Sequence, residues 1–577
     1  MSRSRVACGF FAAAAVSGLL VALPASSSLA AATDCPRAFP TADAVDGVTG
    51  TGYTVERGTG TETFTATVLG RVTSGIAPGV DMIMAEVDSP ALERAGGVWA
   101  GMSGSPVYTS DGRLIGSVSY GLAASSKIAG ITPAEDLLAL STTTGGATKV
   151  KVSGLRAARL AQTGEVSKAL ASKGFERLPV PVSASGLARK NTGRFLRSIS
   201  KTSGMAVQAG GATIGVKATS SPSEIFAGSN YAAALSYGDV SLSGLGTTTY
   251  ACNGTAVAFG HPFLNAGRAE YGVHPASAVY VQADPVNGPF KVGNPGGVVG
   301  TVTRDGTIGL RSTLGQAPRH QFPITTSLKN EDGKTVTGQT VGVYQPYAAD
   351  IAALHLQSAI VKANGSQGAG SVAVKITVKG TRAGGKTFTL SHSDHFADTL
   401  DVSFPAADSI YYMLTQLLGQ SYEDVNITSI TVTGSVATTV KQYRVTKVEV
   451  KRHGTWQALK GMQKVTAGGT IPLRATLTAY RSAQTVTVPV TVAVPTKSRG
   501  HVGTLTLSDG LSATTPDKEP KSLTALIQQI NAMPSNDAVV SRIDLDSPTG
   551  ALVSSVRKTR LPGAVSSYLK LVPVTVK

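Results

Sequence analysis

The 577-residue chain predicts a mainly β protein, with β-barrel halves followed by further β-rich domains. Three observations carry this. Charged residues make up only 15% of the chain, glycines number 65, and Val and Thr recur in short alternating runs. That is the pattern of strands joined by tight turns rather than of long helices. The length leaves room for roughly three or four domains of about 150 residues each.

Residues 1–32 read as a secretory signal peptide. Arg3 and Arg5 form a basic start, residues 6–23 are apolar, and Ser28-Leu29-Ala30 or Ala30-Ala31-Ala32 offers small residues for cleavage. Gly18 and Pro24 break the run, which is short for a membrane anchor. No later stretch is apolar for long enough to span a bilayer, so the mature chain is expected to be secreted or held at the cell envelope by other contacts. Removing the segment leaves 50 basic against 35 acidic side chains, a net +15. Nothing clusters into a nucleic-acid motif, so nucleic acid is not an expected partner. Acidic cell-envelope polymers or anionic membrane surfaces are candidate partners, beside the plainer reading of a solvated basic surface. Cys8 leaves with the signal, and the remaining Cys35 and Cys252 are expected to form a disulfide. Their distance from any Cys/His cluster argues against a metal site, and no cofactor is implied.

In residues 33–142, Phe64, Ala66 and Val68 alternate along one strand, and a second apolar run covers 80–87. They lead to Gly101-Met102-Ser103-Gly104-Ser105-Pro106, a serine between glycines on a tight turn, followed by a strand pattern over 114–120. A nucleophile needs such exposure at a turn apex, and the amides of Gly101 and Ser103 would point the same way as the hydroxyl, as an oxyanion pocket requires. A Gly/Ser hairpin loop is the bland alternative. Asp111-Gly112 marks another turn, and residues 131–138 start a short helix. The whole reads as one half of a β-barrel domain.

Residues 143–230 form a basic connector with a helix expected over 155–173, either a flap or anionic-surface patch or a plain solvated face. In 231–340, Asn253-Gly254 signals a two-residue hairpin turn. The second strand of that hairpin runs into Gly260-His261-Pro262, where a general base at a strand end would be held in one orientation. His274 lacks that context and is read as structural. Residues 341–440 suggest an α+β accessory domain, with Ile410, Met413, Leu414, Leu417 and Leu418 on one helical face, Asp408 as cap and Gly419 as stop. His392-Ser393-Asp394-His395 reads as a polar loop, not a metal site. Residues 441–577 alternate as an antiparallel, immunoglobulin-like sandwich, with a short helix capped by Ser522 and ended by Pro534.

The segment 88–120 resembles the nucleophile segment of the serine peptidases named after stage IV sporulation protein B (SpoIVB-type). Asp88, Leu92-Glu93-Arg94-Ala95-Gly96-Gly97, the 101–106 turn and Gly112-Arg113-Leu114-Ile115-Gly116 occur in the family's order. Ala258-Phe259-Gly260-His261-Pro262 resembles its histidine motif, and Gly297-Val298-Val299-Gly300 with Asp305-Gly306-Thr307-Ile308-Gly309 resembles its closing strands. The resemblance implies a chymotrypsin-like double β-barrel with Ser103 as nucleophile, His261 as base, Asp88 as orienting acid and a protein or peptide substrate. Glu86 and Asp239 are alternative acids. Two departures stand out: the serine precedes the histidine by 158 residues, so the barrel halves would be joined in permuted order, and no PDZ segment is evident. The implied function is a secreted serine endopeptidase. The rival is a catalytically inactive binding or scaffold protein on the same barrels.

Overall fold

The computed structural model describes residues 35–577 apart from 124–125, 141–147, 189–192, 204–206, 210–212, 285–287, 514–518 and 547–551. The expected signal segment therefore lies outside the described residues. The chain is mainly β, 48% strand against 17% helix, and contains two closed six-stranded antiparallel barrels.

The first barrel is built from β1 (Thr49–Thr54), β2 (Glu62–Ala77), β3 (Val80–Asp88), β4 (Pro106–Tyr108), β5 (Leu114–Gly121) and β6 (Ile128–Pro133). They pair in the order β4-β1-β2-β3-β6-β5, and β4–β5 pairing closes the ring. The alternation read in the sequence puts Phe64, Ala66 and Val68 of β2 into one core with Ile83, Ala85 and Val87 of β3. Side chains two apart on a strand share a face, so period two becomes a barrel interior. The helix expected from residue 131 begins only at Ala134 (Ala134–Leu138), because Ile128–Pro133 is held in β6 by pairing with β5.

The connector supplies β7 (Lys149–Val150), β8 (Phe175–Arg177), β9 (Val182–Ser185) and β10 (Val207–Ala209). Its expected single helix over 155–173 is two shorter ones, Gly154–Gln162 and Lys168–Ala171. Gly164, at φ +81°, ends the first.

The second barrel comprises β11 (Asn230–Gly238), β12 (Ser241–Cys252), β13 (Thr255–Ala258), β14 (Gly267–Gln282), β16 (Gly300–Gly306) and β17 (Gly309–Leu314), with β15 (Phe290–Pro295) paired to β14. The order is β12-β13-β17-β16-β14-β11, and β11–β12 pairing closes it. Asn253 (φ +47°) and Gly254 (φ +71°) both adopt the left-handed conformation that a two-residue hairpin turn needs. Cys252 at this hairpin is bonded to Cys35, a disulfide spanning 217 residues.

The sheet continues from β11 through β19 (Thr335–Gly342) and β18 (Phe322–Lys329) to strands Val425–Ala437, Gly370–Arg382 and Thr387–Asp398. Helices Ala348–Asn364 and Ser403–Leu418 pack against it in one apolar core with the second barrel. Gly419 does end the latter helix, but Asp408 lies inside it and bonds Arg194 rather than capping. His392 and His395 lie on the strand Thr387–Asp398, not in a loop, because Gly370–Arg382 pairs with this segment throughout. The last section places two five-stranded sheets around a shared core of Val448, Leu477, Leu505, Ile543 and Val574. Its helix Leu523–Asn531 is capped by the Ser522 hydroxyl, which accepts from the Ala525 amide.

Candidate active site

Ser103 sits on a turn whose shape is dictated by its glycines. Gly101 and Gly104 have φ of +96° and +98°. A Cβ on Gly104 would stand 1.9 Å from the Thr247 carbonyl oxygen, so no other residue fits there. Two tight turns fold the segment, Met102 N–H donating to Trp99 O and Ser105 N–H to Met102 O. Gly104 N–H donates to Val118 O of β5 at 2.8 Å, which anchors the turn to its own barrel. Three of its carbonyls are held by the other barrel. Ser103 O accepts from Thr247 N–H at 2.8 Å, Gly101 O from Thr247 Oγ1 at 3.0 Å, and Gly104 O from Thr249 Oγ1 at 2.9 Å. With these three carbonyls turned toward β12, the amides of Gly101 and Ser103 donate to no carbonyl among the described residues. Buried uncommitted N–H groups are uncommon, and a pair beside a serine hydroxyl is what stabilises a developing oxyanion.

His261 comes to the same place from the end of β13. Phe259 (φ +71°) and Gly260 (φ +68°) are both left-handed, and a bulky residue there is strained. The Phe259 ring is fixed by edge-on contacts with Tyr231 and Phe263, at centroid distances of 5.7 and 6.0 Å. Gly260 rests on the first barrel, where an added Cβ would meet Ser119 Oγ at 2.1 Å, and its carbonyl accepts from Thr132 Oγ1 at 2.7 Å. The outcome is a contact across 158 residues: His261 Nε2 lies 2.9 Å from Ser103 Oγ. Nδ1 lies 2.9 Å from the Pro262 carbonyl, which can only accept, so Nδ1 carries the hydrogen and Nε2 presents its lone pair to the serine hydroxyl. Burial holds the imidazole pKa down to about 3, with the Arg177 charge adding to it and the Pro262 carbonyl opposing. The ring is neutral, the form a base must have.

The expected acid is elsewhere. Asp88, at the end of β3, has its side chain 55% exposed and ion-paired with Lys127 Nζ at 2.8 Å. The β3 edge faces solvent at that point, so a nearby lysine takes the carboxylate. Glu86 lies opposite Ile128 in the β3–β6 ladder, and Asp239 accepts from the Gln339 amide. None of the three is bonded to His261.

Sequence reasoning missed Asp305. Its fully buried carboxylate accepts from the Phe263, Leu264 and Ala266 amides at 2.8, 2.6 and 3.5 Å and from Tyr271 Oη at 3.1 Å. Burial pushes its pKa up and those donors pull it back. It therefore grips the main chain directly after His261-Pro262 rather than the imidazole. Its position in a strand-end Asp-Gly was visible; its target, 42 residues away, was not.

Lys291 was also missed. Its amide donates to Ala100 O at 2.8 Å beside the serine turn, and its buried Nζ donates to Asn230 Oδ1 at 2.9 Å. Burial lowers its pKa to about 7. His274 Nδ1 lies 2.9 Å from the Gly296 carbonyl, away from the serine turn's hydrogen bonds. Among the described residues no three His, Cys, Asp or Glu side chains gather as metal ligands, and no helix is long and apolar enough to cross a membrane. Compared with known proteins, the chain matches no family model, no curated protein and no solved structure.

Proposed function

We propose that the chain is a serine peptidase of the SpoIVB type that works with a Ser103–His261 dyad in which a main-chain carbonyl takes the place of the acid. The observation that carries this is the 2.9 Å approach of His261 Nε2 to Ser103 Oγ, beside the two uncommitted amides. Ser103 Oγ attacks the scissile carbonyl carbon and its proton passes to Nε2. The oxyanion rests on the Gly101 and Ser103 amides. Collapse breaks the C–N bond, and Nε2–H protonates the leaving amine. Water, deprotonated at Nε2, then releases the acyl group and regenerates Ser103.

An orienting group has two tasks: to fix the tautomer and to stabilise the imidazolium. The Pro262 carbonyl performs the first fully and the second weakly, because it is a dipole and not a charge. Asp305 supplies rigidity to the loop instead. The disulfide fits an exported protein, which supports the secreted or envelope setting read from the N-terminus, where acidic wall polymers remain candidate partners.

A second reading, an inactive scaffold, is favoured by one observation: Ser103 and His261 are almost wholly buried. Hydrolysis of a quenched peptide library by the full chain separates the two. Cleavage abolished in both Ser103→Ala and His261→Ala supports the peptidase; equal rates in all three proteins overturn it.

A further inference from the structure

Ser103 is 1% exposed and His261 not at all. A short stretch of the connector runs beside the elements that carry them. β8 adds to the edge of β5 in antiparallel register, Arg177 opposite Tyr120 and Glu176 opposite Gly121. Leu178 carries the pairing one residue further, its N–H donating to the Ser119 carbonyl at 3.0 Å. Ser119 is the residue whose hydroxyl abuts Gly260, next to His261. The chain then crosses the seam. Leu178 is buried in the first barrel's core with Met102 and Val118, whereas Val180 is buried in the second barrel's core with Phe259 and Phe263. The Pro181 carbonyl accepts from Leu245 N–H at 3.3 Å, and its ring lies 3.5 Å from where a Cβ on Gly101 would stand. Residues 177–181 thus run from the histidine loop to the oxyanion turn.

An extended segment added to a sheet edge, with alternate side chains in apolar pockets, is how a peptide binds a strand-presenting cleft. We propose that residues 177–181 occupy, from within the chain, the β5 edge on which a substrate peptide lies. The described form is then latent, and the substrate is an extended peptide with an aliphatic side chain of leucine's size in the place of Leu178. This rests on the peptidase reading. The following residue, Pro179, suits a resident occupant: its ring nitrogen carries no hydrogen and its ring crowds the leaving side of the bond after Leu178. The strap is a poor substrate for the site it covers.

The test compares the full chain with Leu178→Gly and the milder Leu178→Ala, using a fluorophosphonate probe and quenched peptides carrying Leu, Asp or Lys before the cleaved bond. Circular dichroism and the intact disulfide report folding, and Val180→Ser replaces Leu178→Gly if the latter does not fold. Labelling is expected to rise at least tenfold in the opened variant, to rise less in Leu178→Ala, and to vanish when Ser103→Ala is added. The Leu peptide is expected to be cleaved at least tenfold faster than the other two. Wild type labelling as fast as the opened variant overturns the strap and leaves the peptidase standing. Preference for Asp or Lys overturns the substrate class. Folded variants that never label overturn the peptidase reading and the strap with it.

Discussion

The seam between the barrels and the C-terminal sandwich are both β-structure, yet they bury opposite chemistry. In the sandwich, Leu473–Ala479 buries Leu473, Ala475 and Leu477, and the core shared by its two sheets is apolar throughout. Its buried carboxylates Glu449, Asp509 and Asp537 lie outside that cluster, Glu449 paired with Lys447 and Arg474 and the two aspartates hydrogen-bonded locally. The seam buries Ser103, Ser117, Ser119, Thr132, Thr247, Thr249, His261, Lys291 and Asp305. Apolar packing is non-directional and stabilises wherever volumes match. Buried polar groups stabilise only with their partners in place, and here those partners come from two barrels. Partner geometry therefore decides function in the seam and volume decides stability in the sandwich, and reactivity is expected only in the seam.

Removing the reacting groups should separate the regions most. Ser103→Ala and His261→Ala are expected to lower hydrolysis by about a thousandfold or more in protein that still folds. Leu477→Ala, in the sandwich, should cost about 2–5 kcal/mol in urea unfolding and leave the rate per folded molecule unaltered. Loss of hydrolysis in folded Leu477→Ala would break the contrast.

Asp305→Asn comes next. An amide cannot accept from all four donors, so at least one loop N–H loses its partner, at about 1–3 kcal/mol. Hydrolysis should fall by about a hundredfold, mostly in kcat, because a displaced His261 loop loses its near-attack geometry. Tyr271→Phe, removing one donor, should do less in both assays. An unchanged kcat with lowered stability would make Asp305 merely structural.

Acid should weaken the barrel region selectively. His261, His274 and His355 are held by burial at about 3, 4 and 4, below the ordinary value of 6.5. As pH falls the unfolded chain takes up these protons first, so their contribution is complete above about pH 6.5 and is lost on going down toward 3. Asp305, raised by burial, works in the opposite sense over its own range. The urea midpoint should drop between pH 6.5 and 4, and a flat midpoint would contradict neutral buried imidazoles.

The smallest effect is expected at Asp88. Its exposed pair with Lys127 is screened by solvent, and Asp88→Ala should leave hydrolysis within about twofold. A hundredfold loss would restore it as the acid.

The features legible in the sequence were local. Alternation in β2 and β3, the Asn253-Gly254 hairpin, the Ser103 turn and the Ser522 cap are each encoded within a few residues. The two cysteines announced their bond because nothing else competed for them. Asp88 pairs with Lys127 and not with His261 because spacing to Ser103 does not decide hydrogen bonding, which follows from where β3 ends. Asp305 and Lys291 were invisible for the complementary reason: their meaning lies in partners 42 and 61 residues away. His392 and His395 looked like a loop because polar residues interrupt the alternation, yet pairing with Gly370–Arg382 keeps them in a strand.

The central claim is that Ser103 and His261 form one reactive unit. Intact-mass and peptide mapping after fluorophosphonate treatment of Leu178→Gly tests it most directly. A single adduct on Ser103, absent when His261→Ala is added, is the predicted result; a folded protein with no adduct, or with one that persists without His261, would contradict it.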